Sequence, residues 1–130
     1  MKKIVFGLAA LLCFVSSCSS DDNNTSPGAS RKVKYELTGT FSKNIRVVYI
    51  NENGSNVMED NVSIPWSKEV TFGEGIYALG VSGSSITGQE GTPGQTLTAK
   101  IYVNGVEKKT LTNTVSSDGI ISCILADVLQ

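Results

Sequence analysis

Histidine does not occur anywhere in the 130 residues, which removes the commonest general base and the commonest metal ligand together. Histidine-based triads are excluded outright. Cysteine is nearly as scarce: the chain holds Cys13, Cys18 and Cys123. A basic excess is also missing, with 11 Lys and Arg against 12 Asp and Glu, so nothing in the charge balance suggests nucleic acid or an anionic membrane surface. Long apolar runs are absent as well. The apolar run from Ile4 to Val15 would span roughly 18 Å as a helix, well short of a hydrocarbon core of about 30 Å. A permanent transmembrane helix is the weaker reading of that run.

What is present at the start has the form of an export signal: the charged Met1-Lys2-Lys3, the apolar run, then Ser16 and Ser17 ahead of Cys18. An aliphatic residue and two small ones before cysteine resemble a bacterial lipobox, whose cysteine thiol receives a lipid before cleavage. The expectation is a signal peptide over residues 1–17, a palmitate-bearing lipid anchor on Cys18, and a flexible polar tether over residues 18–31. An ordinary signal peptide cut near Ser17 is the alternative. Once Lys2 and Lys3 are removed, the formal charge falls from −1 to −3. Ser19, Ser20, Asp21 and Asp22 follow the cysteine and resemble the acidic export signal of surface lipoproteins in Bacteroidetes-type bacteria. That resemblance implies an outer-membrane lipoprotein facing the cell exterior; the bland alternative is a solvated acidic linker.

The remaining residues, 32–130, suffice for one domain. Val33, Tyr35 and Leu37 alternate with Lys34, Glu36 and Thr38, a period of two that buries one face of a strand. Ile45 to Ile50 is apolar enough on both sides to be central, and Glu52-Asn53-Gly54-Ser55 turns it back into Val57 to Val62. Pro65 interrupts the pattern before a strand from Lys68 to Phe72. Another runs from Ile76 to Val81. Leu97, Ala99, Ile101 and Val103 form one arm of a hairpin whose Asn104-Gly105 turn predicts a type I′ geometry and fixes the register of the return strand Val106 to Leu111. Gly119 to Val128 closes the set. About eight short strands without an amphipathic helix predict an all-β, immunoglobulin-like antiparallel β-sandwich, with a small closed barrel as runner-up.

Ser82 to Gly94 contains four glycines, a proline and a single apolar side chain, and reads as the longest loop. It lacks the Gly-Lys-Ser/Thr ending of a phosphate loop. Its residues Ser84, Ile86, Gln89 and Glu90 are the candidate binding residues, because loops on a rigid sandwich are where recognition concentrates. Exposed aromatics would serve a glycan-binding or adhesion module, and Trp66, Tyr77 and Tyr102 are the candidates. Trp66, placed after Pro65 at the entry to a strand, fits a core position better. Glu59 and Asp60 leave a strand on opposite faces and make a poor acid–base pair. Cys123, within the apolar run from Ile120 to Ala126, reads as a small core residue and has no disulfide partner.

The segments Val33-Lys34-Tyr35-Glu36-Leu37-Thr38-Gly39, Ile64-Pro65-Trp66-Ser67 and Ile101-Tyr102-Val103-Asn104-Gly105, with Cys123 in the last strand, together resemble the mycobacterial MmpS membrane proteins. The resemblance covers roughly Lys32 to Leu125. It implies an immunoglobulin-like sandwich and a non-enzymatic accessory role beside large lipid-exporting transporters of the resistance-nodulation-division type. Two departures stand out. Family members are held by a transmembrane helix where this chain has a lipobox, and they usually carry a second cysteine where this chain has Ala99. The expected function is that of a lipid-anchored, non-catalytic envelope protein with a protein partner; the alternative is a glycan-binding or adhesion module. No catalytic residue, metal site or cofactor is expected.

Overall fold

Apolar and polar side chains alternate along most of the chain, and the fold follows from giving every such strand a dry side. The computed structural model describes residues 31–130. Eight strands appear in chain order: β1 (Arg31–Gly39), β2 (Ile45–Ile50), β3 (Asn56–Val62), β4 (Trp66–Phe72), β5 (Ala78–Ser85), β6 (Thr96–Val103), β7 (Val106–Thr114) and β8 (Ser122–Val128). They form two four-stranded sheets, β4-β1-β6-β7 and β3-β2-β5-β8, with antiparallel pairing throughout. This is an open β-sandwich, not a closed barrel. In a constant-type immunoglobulin domain the first two strands are neighbours in one sheet; here β1 and β2 lie in opposite sheets. As expected from its sequence, β2 is central, flanked by β3 and β5.

The core lies between the sheets. Val33, Tyr35 and Leu37 of β1 meet Ile45 and Val47 of β2, with Phe72, Leu97 and Ile101 filling the layer, all essentially inaccessible. The Tyr35 hydroxyl crosses this layer to donate to the Ile50 carbonyl at 3.0 Å, so the buried phenol has its hydrogen-bond partner. At the turn between β2 and β3, the Asn51 side-chain oxygen accepts from the backbone N–H groups of Asn53 and Ser55, each at 3.0 Å. Pro65 follows a cis peptide bond and stands between β3 and β4, where its missing N–H interrupts no ladder.

Three expectations change. Ser82 to Ser85 belong to β5, not to the long loop, and are paired on one side with β2 and on the other with β8. Their small size reflects packing: a Cβ on Gly83 would come within 3.0 Å of Leu97 and 3.2 Å of Ile45 and Leu37. β7 runs three residues further than its apolar pattern, to Thr114, because it is an edge strand with almost every side chain exposed. The Asn104-Gly105 turn sets only the first hairpin pairs. Val103 faces Val106 and Tyr102 faces Glu107, after which the register shifts so that Ile101 faces Lys109, leaving Lys108 as the bulged residue.

Asn104 and Gly105 have φ of 49° and 81°, the positive pair that a type I′ turn requires. Gly105→Val should therefore cost about 1–3 kcal/mol, since a β-branched residue is strained there; an unmoved denaturation midpoint would contradict it. Burial also gives Tyr35 a pH signature. Its pKa is pushed up to about 12 by desolvation, above the ordinary value near 10. The stabilisation attached to the neutral phenol is complete below about pH 10 and is lost as the pH rises through about 12. Tyr35→Phe should cost about 1 kcal/mol at neutral pH and flatten the decline in melting temperature across that alkaline window. Parallel declines in the two proteins would assign it elsewhere.

Candidate interaction surface

The expected lipid-anchor residue Cys18 and the expected export-signal residues Ser19, Ser20, Asp21 and Asp22 lie outside the described residues, as does most of the expected tether. The surface is therefore built from β1 onward. The chain enters the sandwich at Arg31, beside the Asn104-Gly105 turn: Asn104 N–H donates to the Lys32 carbonyl at 2.7 Å. The segment between β5 and β6 sits at the opposite end.

That distal segment, Ile86 to Gln95, is held by its own side chains. The Gln89 side-chain oxygen accepts from Asn44 N–H at 3.3 Å, and the Glu90 carboxylate accepts from Gly88 N–H at 2.9 Å. This backbone donor holds the Glu90 carboxyl below its ordinary pKa. Gln95 receives Thr92 N–H and donates to the Ser42 hydroxyl. Beneath the segment, Gly91 lies so close to the buried Phe41 ring that a Cβ would sit 2.3 Å from it. Of the four candidate binding residues, Ser84 is in β5, Ile86 is half-buried, and Gln89 and Glu90 have their side-chain oxygens engaged within this end of the sandwich.

The three candidate aromatics are not brought together. Trp66 opens edge strand β4, half-buried between the sheets. Its indole N–H donates to Glu59 at 3.0 Å, and its ring lies 5.6 Å from that of Tyr49. Tyr77 stands at the entry end under the Arg31 guanidinium, and Tyr102 lies on the outer side of β6 beside Lys34. The carboxylates Glu59 and Asp60 leave β3 on opposite faces. Glu59 takes Trp66, whereas Asp60 makes a two-point contact with Arg46, 2.5 and 3.1 Å long, which keeps its carboxyl below the ordinary range. Among the described residues no group of three His, Cys, Asp or Glu side chains is placed to hold a metal ion.

The two outer faces differ sharply. On β4-β1-β6-β7 the outward positions include Lys32, Lys34, Glu36, Glu69 and Lys100, with ion pairs joining Lys34 to Glu36 and Lys100 to Glu107. It is a solvated charged surface. On β3-β2-β5-β8 the strand register aligns Met58, Val48, Ser82 and Ile124 in one row, and Asn56 and Ile50 with Gly80 and Ala126 in the next. Met58 is 60% exposed, Ile124 68% and Val128 63%. Arg46 and Asp60 are the charges on this face, and they neutralise each other. Sequence reasoning did not single out this surface. The signal was there in β8, whose apolar residues fall on both sides of the strand: Cys123 and Leu125 point inward while Ile124 and Val128 point out.

Cys123 occupies the expected core position, with burial raising its thiol pKa. Its S–H donates to the Leu111 carbonyl at 3.3 Å, and the backbone of the fully buried Ala99, on the facing sheet, lies close to the sulfur. Ala99→Cys should thus form an inter-sheet disulfide under oxidising conditions, adding about 3 kcal/mol by loop closure. Non-reducing mobility and the melting temperature with and without reductant read this out; two free thiols in the oxidised protein would refute the placement.

Comparison with known proteins gives one family, described as Mycobacterium membrane protein, whose match runs over residues 5–127. No curated protein matches the chain.

Proposed function

The chain belongs to the Mycobacterium membrane protein family, and from that premise we propose that it is a lipid-anchored, non-catalytic interaction module of the cell envelope, acting as an accessory to an envelope protein such as a transporter. The observation that carries this reading is the apolar, charge-poor outer face of β3-β2-β5-β8. A solvated domain has no reason to leave Met58, Ile124 and Val128 on one continuous face unless that face meets another surface. The face offers shape and apolar contact, and its paired charges leave little to select for an acidic or basic partner. The pinned loop Ile86 to Gln95, at the end of the sandwich furthest from Arg31, is a second place where a partner could be met.

The anchor is read from Ser16-Ser17-Cys18. Two or more acyl chains on one cysteine give stable attachment, each buried CH₂ contributing about 0.8 kcal/mol. Ser19 to Asp22 would then direct the protein to the exterior of the outer membrane. Cys18→Ala should abolish palmitate incorporation and leave an unprocessed precursor, measured by metabolic labelling and by precursor mobility. Unchanged processing with no label in the wild type would replace the lipid anchor by an ordinary signal peptide cut near Ser17. Within the same experiment, protease added to intact cells should remove the domain if it faces outward.

A further inference from the structure

A β-sandwich has four edge strands, and each exposes a row of backbone N–H and C=O groups that another strand could pair with. Three of the edges here carry features that discourage such pairing. β3 is bulged, with a register shift opposite Arg46, Asn61 at φ 58°, and Glu59 and Asp60 along it. β4 has Lys68 and Glu69 at its centre. β7 carries Glu107-Lys108-Lys109 together with its own bulge. β8 has neither. From Ser122 to Ala126 it is uncharged and free of glycine and proline, and its ladder with β5 is unbroken from Ala78–Val128 to Ser84–Ser122.

The free side of β8 can be read from its hydrogen bonds. Ile121 O accepts from Ser85 N–H, and Leu129 N–H donates to Tyr77 O, so the odd-numbered residues face β5. Residues 122, 124 and 126 therefore direct their backbone groups outward. Two side chains of β7 reach this edge: Asn113 donates to the Ser122 carbonyl at 2.6 Å and Lys109 to the Ala126 carbonyl at 2.7 Å. They flank Ile124 symmetrically, two residues to either side, and each capped carbonyl keeps a second lone pair.

We propose that β8 pairs antiparallel with β8 of a second copy of this chain, across a twofold axis at Ile124, so that the two β3-β2-β5-β8 sheets join into one eight-stranded sheet. The strand is its own complement. Ile124 exchanges both backbone hydrogen bonds with its counterpart, Ser122 faces Ala126 of the second copy, and no charge on Ser122–Ala126 meets a like charge. The exposed Ile124 side chains come together on the outer face and make the two apolar faces continuous. One edge-to-edge ladder buries less than the roughly 1,200 Å² of a stable soluble complex, so the pairing depends on concentration.

The test uses the full chain in its native membranes. Cα atoms of a hydrogen-bonded antiparallel pair stand about 5.5 Å apart, within disulfide range; Ile124→Cys should therefore give a disulfide-linked homodimer that the wild type does not. Val128→Cys, equally exposed but roughly 26 Å from its counterpart in this register, should give none. Ile124→Lys should keep the wild-type melting temperature while the concentration-dependent dimer of the purified chain disappears from sedimentation. Absence of the Ile124→Cys homodimer, equal crosslinking by Val128→Cys, or crosslinking of Ile124→Cys to a different protein alone would each overturn the proposal.

Discussion

The packing of β1 against the opposite sheet is the contact on which the rest depends. β1 is one of two inner strands of its sheet and places Val33, Tyr35 and Leu37 in the interior, and it ladders with β4 on one side and β6 on the other. The Tyr35 hydroxyl then ties this sheet to β2 through the Ile50 carbonyl. With the layer spacing set there, the two sides of the sandwich close differently. On the β3–β4 side the chain itself crosses between the sheets, and the Trp66 indole, bonded to Glu59 and set against Tyr49, fills the gap. On the β7–β8 side the chain crosses as well, through residues 115–121. There the Lys109 and Asn113 side chains and the Cys123 thiol also stitch the two edges together.

That difference bears on where the molecule meets others. The β3–β4 seam is sealed by a large aromatic and has bulged or charged edges. The β7–β8 seam leaves at the margin of the apolar face a strand that carries no charge from Ser122 to Ala126. An apolar surface and an open backbone edge thus coincide at β8, and both derive from one short segment, Ser122 to Val128. The charged outer face of β4-β1-β6-β7, with its ion pairs, is the solvated counterpart that keeps the domain dispersed.

Legibility in the sequence followed local chemistry. The alternation in β1, the positive-φ pair Asn104-Gly105 and the break at Pro65 each act within a few residues, and the all-β, two-sheet architecture was readable from them. What escaped was non-local. Ser82 to Ser85 have the composition of a loop, yet they are strand because Leu97, Ile45 and Leu37 leave no room for a side chain at Gly83. The bulge at Lys108 depends on how β7 meets β6 beyond the turn. The outward placement of Ile124 and Val128 was not legible because an apolar run does not say whether a neighbour covers its second face. For Gln89 and Glu90, residue type alone gave no sign that both side chains are spent on backbone donors of the same end of the sandwich.

The position of Arg31 also fixes how the domain bears load. The chain enters at the first residue of β1, a strand flanked by ladders on both sides, and the pinned Ile86–Gln95 segment stands at the far end. Tension applied between the entry point and anything held at that far end runs along β1, so the β1–β4 and β1–β6 ladders are pulled in shear, with their hydrogen bonds sharing the force instead of opening one after another. Forced unfolding is governed by the barrier to the first rupture; a domain threaded in this way yields late when pulled by its leading end.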